Sequence, residues 1–151
     1  MGESQSQDRR KDYNKAVIYE SFPQEAKEIR EEVFIREQGF QKEYDEIDHE
    51  AVHIVLYDAE IPVATCRIFW NEDMGAYTLG RLAVRKEYRG QNIGSLMLRE
   101  AENLVRRKNG KELILHAQCR AADFYRKSGF AEFGEVGDEE GCPHVWMRKE
   151  I

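Results

Sequence analysis

Long apolar runs are missing from this chain of 151 residues. None comes near the roughly 20 residues that a helix needs to span a bilayer, so no membrane-spanning helix and no membrane partner are expected. A positive charge balance is missing too. The 29 acidic residues outnumber the 23 basic ones and leave a net charge of −6, which argues against nucleic acid as a partner. Cysteine is scarce. Cys66, Cys119 and Cys142 are odd in number and widely spaced, and no C-x-x-C or other metal spacing occurs. Reduced thiols, a cytoplasmic location and no metal site follow as expectations. The first residues are polar and lack the apolar core of a signal peptide. No repeat or low-complexity tract is present.

What is present fits one domain with a real core. Residues 1–12 are polar, too poor in apolar side chains to offset ordering entropy, and read as a disordered leader. Residues 13–151 read as the domain. Strands are expected over Lys15–Glu20, Val52–Tyr57, Ile61–Trp70, Ala76–Val84, Glu112–His116, Phe130–Val136 and His144–Met147. A helix starts near Ser21 or Phe22, with Pro23 in its first turn. It carries Ala26, Ile29, Val33 and Phe34 on one face and fades near Gln38-Gly39. A short second helix is expected within the acidic stretch from Phe40 to Glu50. Ile93, Leu96, Met97, Ala101, Leu104 and Val105 mark a helix over Asn92–Lys108, capped by Asn109-Gly110. A short helix over Ala121–Ser128 is ended by Gly129. The order β-α-α-β-β-β-α-β-α-β-β predicts an α/β (α+β) fold, a mixed sheet with helices on both faces.

One segment is more informative than the rest. The strand Leu82-Ala83-Val84 runs into a charged turn, and Arg89-Gly90-Gln91-Asn92-Ile93-Gly94-Ser95 then opens the long helix. Glycine admits φ > 0 and close approach of a ligand. A helix start adds free N–H groups and the positive end of the macrodipole. Such a loop is a nest for an anion, most often a phosphate, and Arg89 can reinforce it. The P-loop pattern G-x-x-x-x-G-K-[ST] and the dinucleotide pattern G-x-G-x-x-G are both absent. A β–α turn with no ligand stays open as the alternative.

The loop Arg89 to Gly94 resembles the pyrophosphate loop of the GNAT acyltransferases, [QR]-x-x-G-x-[GA], with Asn92 where that family has glycine. Asn tolerates the left-handed region better than most residues. Three further segments extend the resemblance. Gln118-Cys119-Arg120-Ala121-Ala122-Asp123-Phe124-Tyr125-Arg126-Lys127-Ser128-Gly129-Phe130 is similar to N-x-x-A-x-x-x-Y-x-x-x-G-F, with Gln118 for Asn. Val33-Phe34-Ile35-Arg36-Glu37-Gln38, the spaced acids after it and Ala51-Val52-His53 resemble the ElaA-like branch. Gly141-Cys142-Pro143-His144-Val145-Trp146-Met147 resembles the branch's G-[IC]-P-H-x-x-M ending.

The resemblance covers roughly residues 15–150. It implies a mostly antiparallel sheet of about seven strands, acetyl-CoA as donor, and direct transfer to an amine acceptor with no covalent enzyme intermediate. Homodimers are common in that superfamily. Amides from Gln91 to Ser95, with Arg89, Gly90, Asn92, Ile93 and Gly94 shaping the loop, would hold the pyrophosphate. The main chain at Leu82, Ala83 and Val84 would pair with the pantetheine arm. Gln118 falls on the cofactor side, and Tyr125 takes the position of the acid that protonates the leaving thiolate. A phenol that only packs helix against sheet is the alternative for Tyr125.

Glu37, Asp45 and Asp48 could bind an ammonium acceptor; helix capping and bonds to loop amides are the alternative. His144 is a general-base candidate, as are His53 on the acceptor side and His116. Arg67 and Arg81 on neighbouring strands could fork around an acceptor carboxylate, or pair with acids on covering helices. Cys119 has little to activate it as a nucleophile. The acceptor is a small amine or a peptide amine. A CoA-sensing module without catalysis is the reading from another class, kept open by Asn92 and Gln118.

Overall fold

The first strand, β1, is short, Lys15–Tyr19, and it leads into helix α1, Gln24–Arg30. Pro23 stands at the N-cap of α1, not in its first turn as expected. Its ψ of 153° is extended and swings the chain into the helix. After Arg30 the helix widens into a π turn, Glu31–Glu37. There the Gln38 amide reaches the carbonyl of Val33, five residues back, at 3.1 Å. Such wide turns are rare and gather at functional sites. Nothing in the spacing of the apolar residues announced it.

The computed structural model describes residues 15–41 and 43–151; the expected leader over 1–12 lies outside them. Helix α2, Ile47–Glu50, precedes strands β2, Val52–Asp58, β3, Ile61–Asn71, and β4, Ala76–Val84. Then come α3, Ile93–Arg107, β5, Glu112–Gln118, and α4, Ala122–Lys127. Strands β6, Ala131–Glu139, and β7, Cys142–Glu150, close the chain. The seven strands form one sheet in the order β1-β2-β3-β4-β5-β7-β6. Neighbours β1–β2, β5–β7 and β6–β7 run antiparallel, and β4–β5 run parallel. This is the mostly antiparallel, seven-stranded architecture that the resemblance implies. Among the described residues no helix is long and apolar enough to cross a membrane.

Two units divide the chain. One takes in the described residues up to Arg67 together with Arg81–Glu100; the other takes Ile68–Gly80 and Ala101–Ile151. In the first, α1 and its π extension bury Ala26, Ile29, Val33 and Phe34 against Val55 of β2 and Ala83 of β4. Burial of each large aliphatic or aromatic side chain there contributes about 1.5–3 kcal/mol. In the second, Leu113 and Leu115 of β5 and Val145 and Met147 of β7 are buried.

The closing strands are longer than expected. Glu140 and Gly141 both have positive φ, 51° and 80°, which is the backbone of a two-residue hairpin turn matched to strand twist. The ladder, broken by a register shift between Phe133 and Gly137, runs out to Glu139↔Cys142. At the end of α3, Asn109 takes the left-handed angle (φ 62°). Gly110 donates to Val105 at 2.9 Å and Asn109 to Arg106 at 3.0 Å, the paired bonds of a Schellman cap. Gly110 is there for space: a Cβ would lie 2.4 Å from Val105 Cγ1.

Candidate active site

The β4–β5 ladder joins only three residue pairs, from Tyr77↔Leu113 to Leu79↔Leu115. Beyond it, Arg81 sits in the middle of β4 with φ 52°. A left-handed non-glycine residue costs about 1–2 kcal/mol and breaks the pleat, which re-aims the amides and carbonyls that follow. Those belong to Leu82, Ala83 and Val84. Ala83 is buried with α1, while Leu82 and Val84 are half-buried.

A 3-10 turn, Lys86–Tyr88, follows. Gly90 then takes φ 79° and Asn92 φ 62° before α3 begins at Ile93. Asn92, where the family pattern has glycine, thus takes a left-handed angle. A Cβ on Gly90 would meet nothing within 4 Å, so the backbone angle alone demands glycine there. The first bond within α3 runs from the Leu96 amide to the Asn92 carbonyl at 3.1 Å. The amides of Ile93, Gly94 and Ser95 therefore have no partner inside the helix. Two left-handed residues and a helix start fit a phosphate.

Arg89 extends from this loop, and its partner is Glu37. The guanidinium donates to both carboxylate oxygens, Nη2 to Oε1 at 2.7 Å, and its Nε donates to the Val84 carbonyl at 3.0 Å. Bonding to Arg89 holds the Glu37 carboxyl below its ordinary range. Arg85 likewise donates to Glu32 at 2.8 Å. Glu32 and Glu37 are five residues apart, and the π turn brings that spacing onto one face. The wide turn therefore matches two glutamates to two arginines, and it joins two residues, Glu37 and Arg89, that the sequence assigned to opposite sides of the reaction.

A buried charge network lies in the same unit. Arg30, on the apolar face of α1, donates through Nε to Glu43 at 2.6 Å and through both terminal nitrogens to Asp48 at 2.8 and 3.0 Å. Its guanidinium lies 4.6 Å from the centre of the Phe22 ring. Arg67 donates to Asp45 at 2.6 Å and to Asp48 at 2.9 Å. Arg81 donates to the Glu43 carbonyl at 3.1 Å and reaches Asp45 at 3.4 Å. So Arg67 and Arg81 do fork around a carboxylate, but it is the chain's own Asp45. Of the acids these arginines meet, only Asp48 belongs to a helix, α2; Glu43 and Asp45 lie in the loop before it.

Burial alone would raise the pKa of Asp48. Bonds from Arg30 and the Asp45 amide, with the charges of Arg30 and Arg67, outweigh it and bring the value to about 2. At Asp45 burial is likewise outweighed, by Arg67 and Arg81. Glu43 goes the other way: burial dominates and pushes it up. Its Oε2 has no hydrogen-bond partner among the described residues. His53 is fully buried, stacked 4.7 Å from Phe22. Its Nε2 donates to the Asp48 carbonyl at 3.0 Å, and burial lowers its pKa. Its ring has no exposed surface. Arg30 and Glu43 escaped the sequence reading. The one signal for Arg30 was an arginine beside Ile29 on the buried face of α1.

In the second unit Tyr125 of α4 is 8% exposed. Its ring meets Phe124 and Phe130 edge-on, with centroids 5.0 and 6.0 Å away. The Phe130 amide donates to the Tyr125 carbonyl at 3.0 Å and Gly129 takes φ 98°. The Gly-Phe of the motif is thus the C-cap that anchors the tyrosine's own helix. Gln118, half-buried at the end of β5, accepts from Arg120 at 2.7 Å and pairs with His144 across the β5–β7 ladder. His144 is buried. Its Nδ1 donates to the Cys142 carbonyl at 2.8 Å, and its Nε2 lies 3.0 Å from Glu139. All three cysteines are free, and burial pushes Cys66 up to about 12, which leaves it inert.

Residues 14–151 match the acetyltransferase (GNAT) domain family, and the chain belongs to it. It is 36% identical over 141 residues to the uncharacterized N-acetyltransferase YjcF of Bacillus subtilis (strain 168), covering 90% of this chain and 99% of YjcF. Protein ElaA of Escherichia coli (strain K12) is 30% identical over 131 residues, 82% of this chain and 84% of ElaA. The crystal structure of Escherichia coli ElaA matches with a TM-score of 0.79 over 91% of this chain and 99% of that one. A candidate N-acetyltransferase from Lactobacillus plantarum gives a TM-score of 0.83 at 29% identity, over 90% and 97% of the two chains.

Proposed function

We propose that this chain, over residues 13–151 as one domain, transfers an acetyl group from acetyl-CoA to the amine of a small molecule or peptide. Attack is direct, in a ternary complex. The observation that carries the reading is the turn into α3, where Gly90 and Asn92 take left-handed angles immediately before a helix start whose first amides have no partner inside the helix. In this reading the amides of Ile93, Gly94 and Ser95 hold the pyrophosphate, helped by the macrodipole. The main chain of Leu82 and Val84 carries the pantetheine arm. Binding both substrates side by side supplies most of the rate through effective molarity. Tyr125 is assigned, from its place in the family motif, the proton that the departing thiolate needs.

Asp45 and Arg81 keep exposed surface, with 38% and 29% of their side chains open to solvent, and are read as contacts for the acceptor. Asp48, Arg67 and His53 are read as the buried frame that holds them. The three free thiols suit a cytoplasmic protein. Acetyl-CoA should raise the melting temperature, since it binds only the folded state. A panel of amines and peptides should then reveal an acceptor by release of free thiol. No shift at millimolar acetyl-CoA would sink the reading. A shift without thiol release from any acceptor would favour a CoA-sensing module.

A further inference from the structure

We propose that His116, and not His144, is the base that takes the proton from the acceptor's ammonium group, with Glu139 and His144 setting its orientation. The inference rests on the acyl-transfer reading above and deepens it. The three residues belong to one hairpin and its neighbour: His116 on β5, Glu139 on β6 and His144 on β7. Glu139 faces both rings, with Oε2 at 3.0 Å from His144 Nε2 and Oε1 at 3.6 Å from His116 Nδ1. The two rings lie 5.0 Å apart, and His116 stacks on Trp146 at 4.6 Å. Among the described residues no group of three or more His, Cys, Asp or Glu could hold a metal ion.

The chemistry separates the histidines. His144 has an oxygen acceptor at each ring nitrogen, a carbonyl at Nδ1 and a carboxylate at Nε2. Both of its ring nitrogens are therefore taken up by groups of the chain itself. It is also almost fully buried. His116 has one nitrogen turned to the shared carboxylate, no partner on Nε2 among the described residues, and a quarter of its side chain exposed. A carboxylate on one ring nitrogen and a free lone pair on the other is the arrangement of a general base. The titratable groups facing His116 are Glu139 from β6 and His144 from β7. Burial lowers the His116 pKa and the charge of His144 adds to this, against the opposing pull of Glu139. The ring is thus neutral and able to accept at neutral pH.

His116 Nε2 takes one proton from the acceptor's ammonium. The freed lone pair forms the N–C bond at the thioester carbonyl, and the C–S bond breaks as the carbonyl re-forms. The thiolate takes the Tyr125 proton, the nitrogen's second proton restores the phenol, and His116 passes the first to solvent. One proton ends on the thiol and one in water.

The test is the pH profile of kcat/KM with the best acceptor, for the parent, His116→Gln, His116→Phe and His144→Gln. His116→Phe keeps an aromatic ring to stack on Trp146 and removes both ring nitrogens. Both His116 variants should keep the melting shift given by acetyl-CoA while kcat falls about 100-fold or more and the acidic limb disappears. In His144→Gln the limb should remain and move to higher pH, because the lowering that His144 exerts on the His116 pKa is removed. Ring-proton NMR should show the His116 titration moving the same way. Parent-like rates and limb in both folded His116 variants overturn the inference while the acyl-transfer reading stands. Loss of the limb in His144→Gln alone would return the role to His144. A parent that neither shifts with acetyl-CoA nor releases thiol overturns both.

Discussion

Glu37 holds Arg89 on both of its carboxylate oxygens. That pair binds the π turn after α1 to the first residue of the proposed phosphate loop. It is partly exposed, so it adds little to stability by itself. Its consequence is for the ligand: the fork that would meet a phosphate is shared with an anion. Glu37→Gln should therefore tighten acetyl-CoA binding, and Arg89→Ala should weaken it by about tenfold, as for one lost charge-assisted bond. In the Arg89→Ala background, Glu37→Gln should have little further effect. Calorimetric titration of the four proteins measures this, and weaker binding in Glu37→Gln would show that the pair preorganises Arg89 instead.

Asn92 and Gly94 test the loop by shape. Asn92 has φ 62°, which glycine adopts freely and a β-branched residue strongly resists. Asn92→Gly should bind acetyl-CoA like the parent. Asn92→Val should lose affinity and some stability. Gly94→Val puts a branched side chain at the second residue of α3 and should lower affinity while the fold survives. Equal affinity in all three variants would place the phosphate elsewhere.

Much of this arrangement was legible in the sequence, for definite reasons. The 3.6-residue periodicity marked α1 and α3, and the strand pattern marked β4 to the residue. Asn92 announced its own left-handed angle. The motif ending Gly129-Phe130 announced the cap of α4. The π turn was hidden because Val33 and Phe34 fit an ordinary helical face equally well. Arg81 was hidden because no side chain type signals a left-handed break inside a strand when it is not glycine. The Arg30–Glu43–Asp48 network is non-local, so no spacing along the chain ties its members together. The extended β6–β7 hairpin was underestimated at Glu140-Gly141, and with it the place of Glu139 beside His144.

The buried network makes stability depend on pH with a definite sign. Asp48 falls from 3.8 to about 2 on folding, so its ionised form favours the fold. That contribution, about 2 kcal/mol for a shift of this size, is present above pH 4 and is lost as the pH falls towards 2. His53, lowered from 6.5, is favoured neutral, so its share begins to be lost below pH 6.5. Glu43 is raised and acts oppositely, since acid relieves a buried charge. The sum should be a melting temperature that declines on acidification. Asp48→Asn should be less stable at pH 7 and decline less steeply below pH 4. Arg30→Ala leaves Glu43 and Asp48 without their shared partner and should cost about 3–5 kcal/mol. Thermal melts from pH 7 to pH 3 compare the slopes, and an unchanged slope in Asp48→Asn would remove Asp48 from the account.

Tyr125→Phe separates enzyme from binding module. The ring is buried against Phe124 and Phe130, and phenylalanine preserves those edge-on contacts, so the fold and the α4 cap should persist. What is lost is one hydroxyl. If that hydroxyl protonates the thiolate, kcat should fall about 100-fold or more while acetyl-CoA binding stays nearly unchanged. The pH profile carries an independent signature. An essential phenol must be protonated, so in the parent the rate should decline only on the alkaline side, and that limb should vanish in the variant. This is the mirror of the acidic limb assigned to His116. The two limbs can therefore be removed one at a time, and the double variant Tyr125→Phe/His116→Phe should show a flat, slow profile. A Phe variant that turns over at the parent's rate with its best acceptor would mean that Tyr125 serves packing alone, with the thiolate protonated from water.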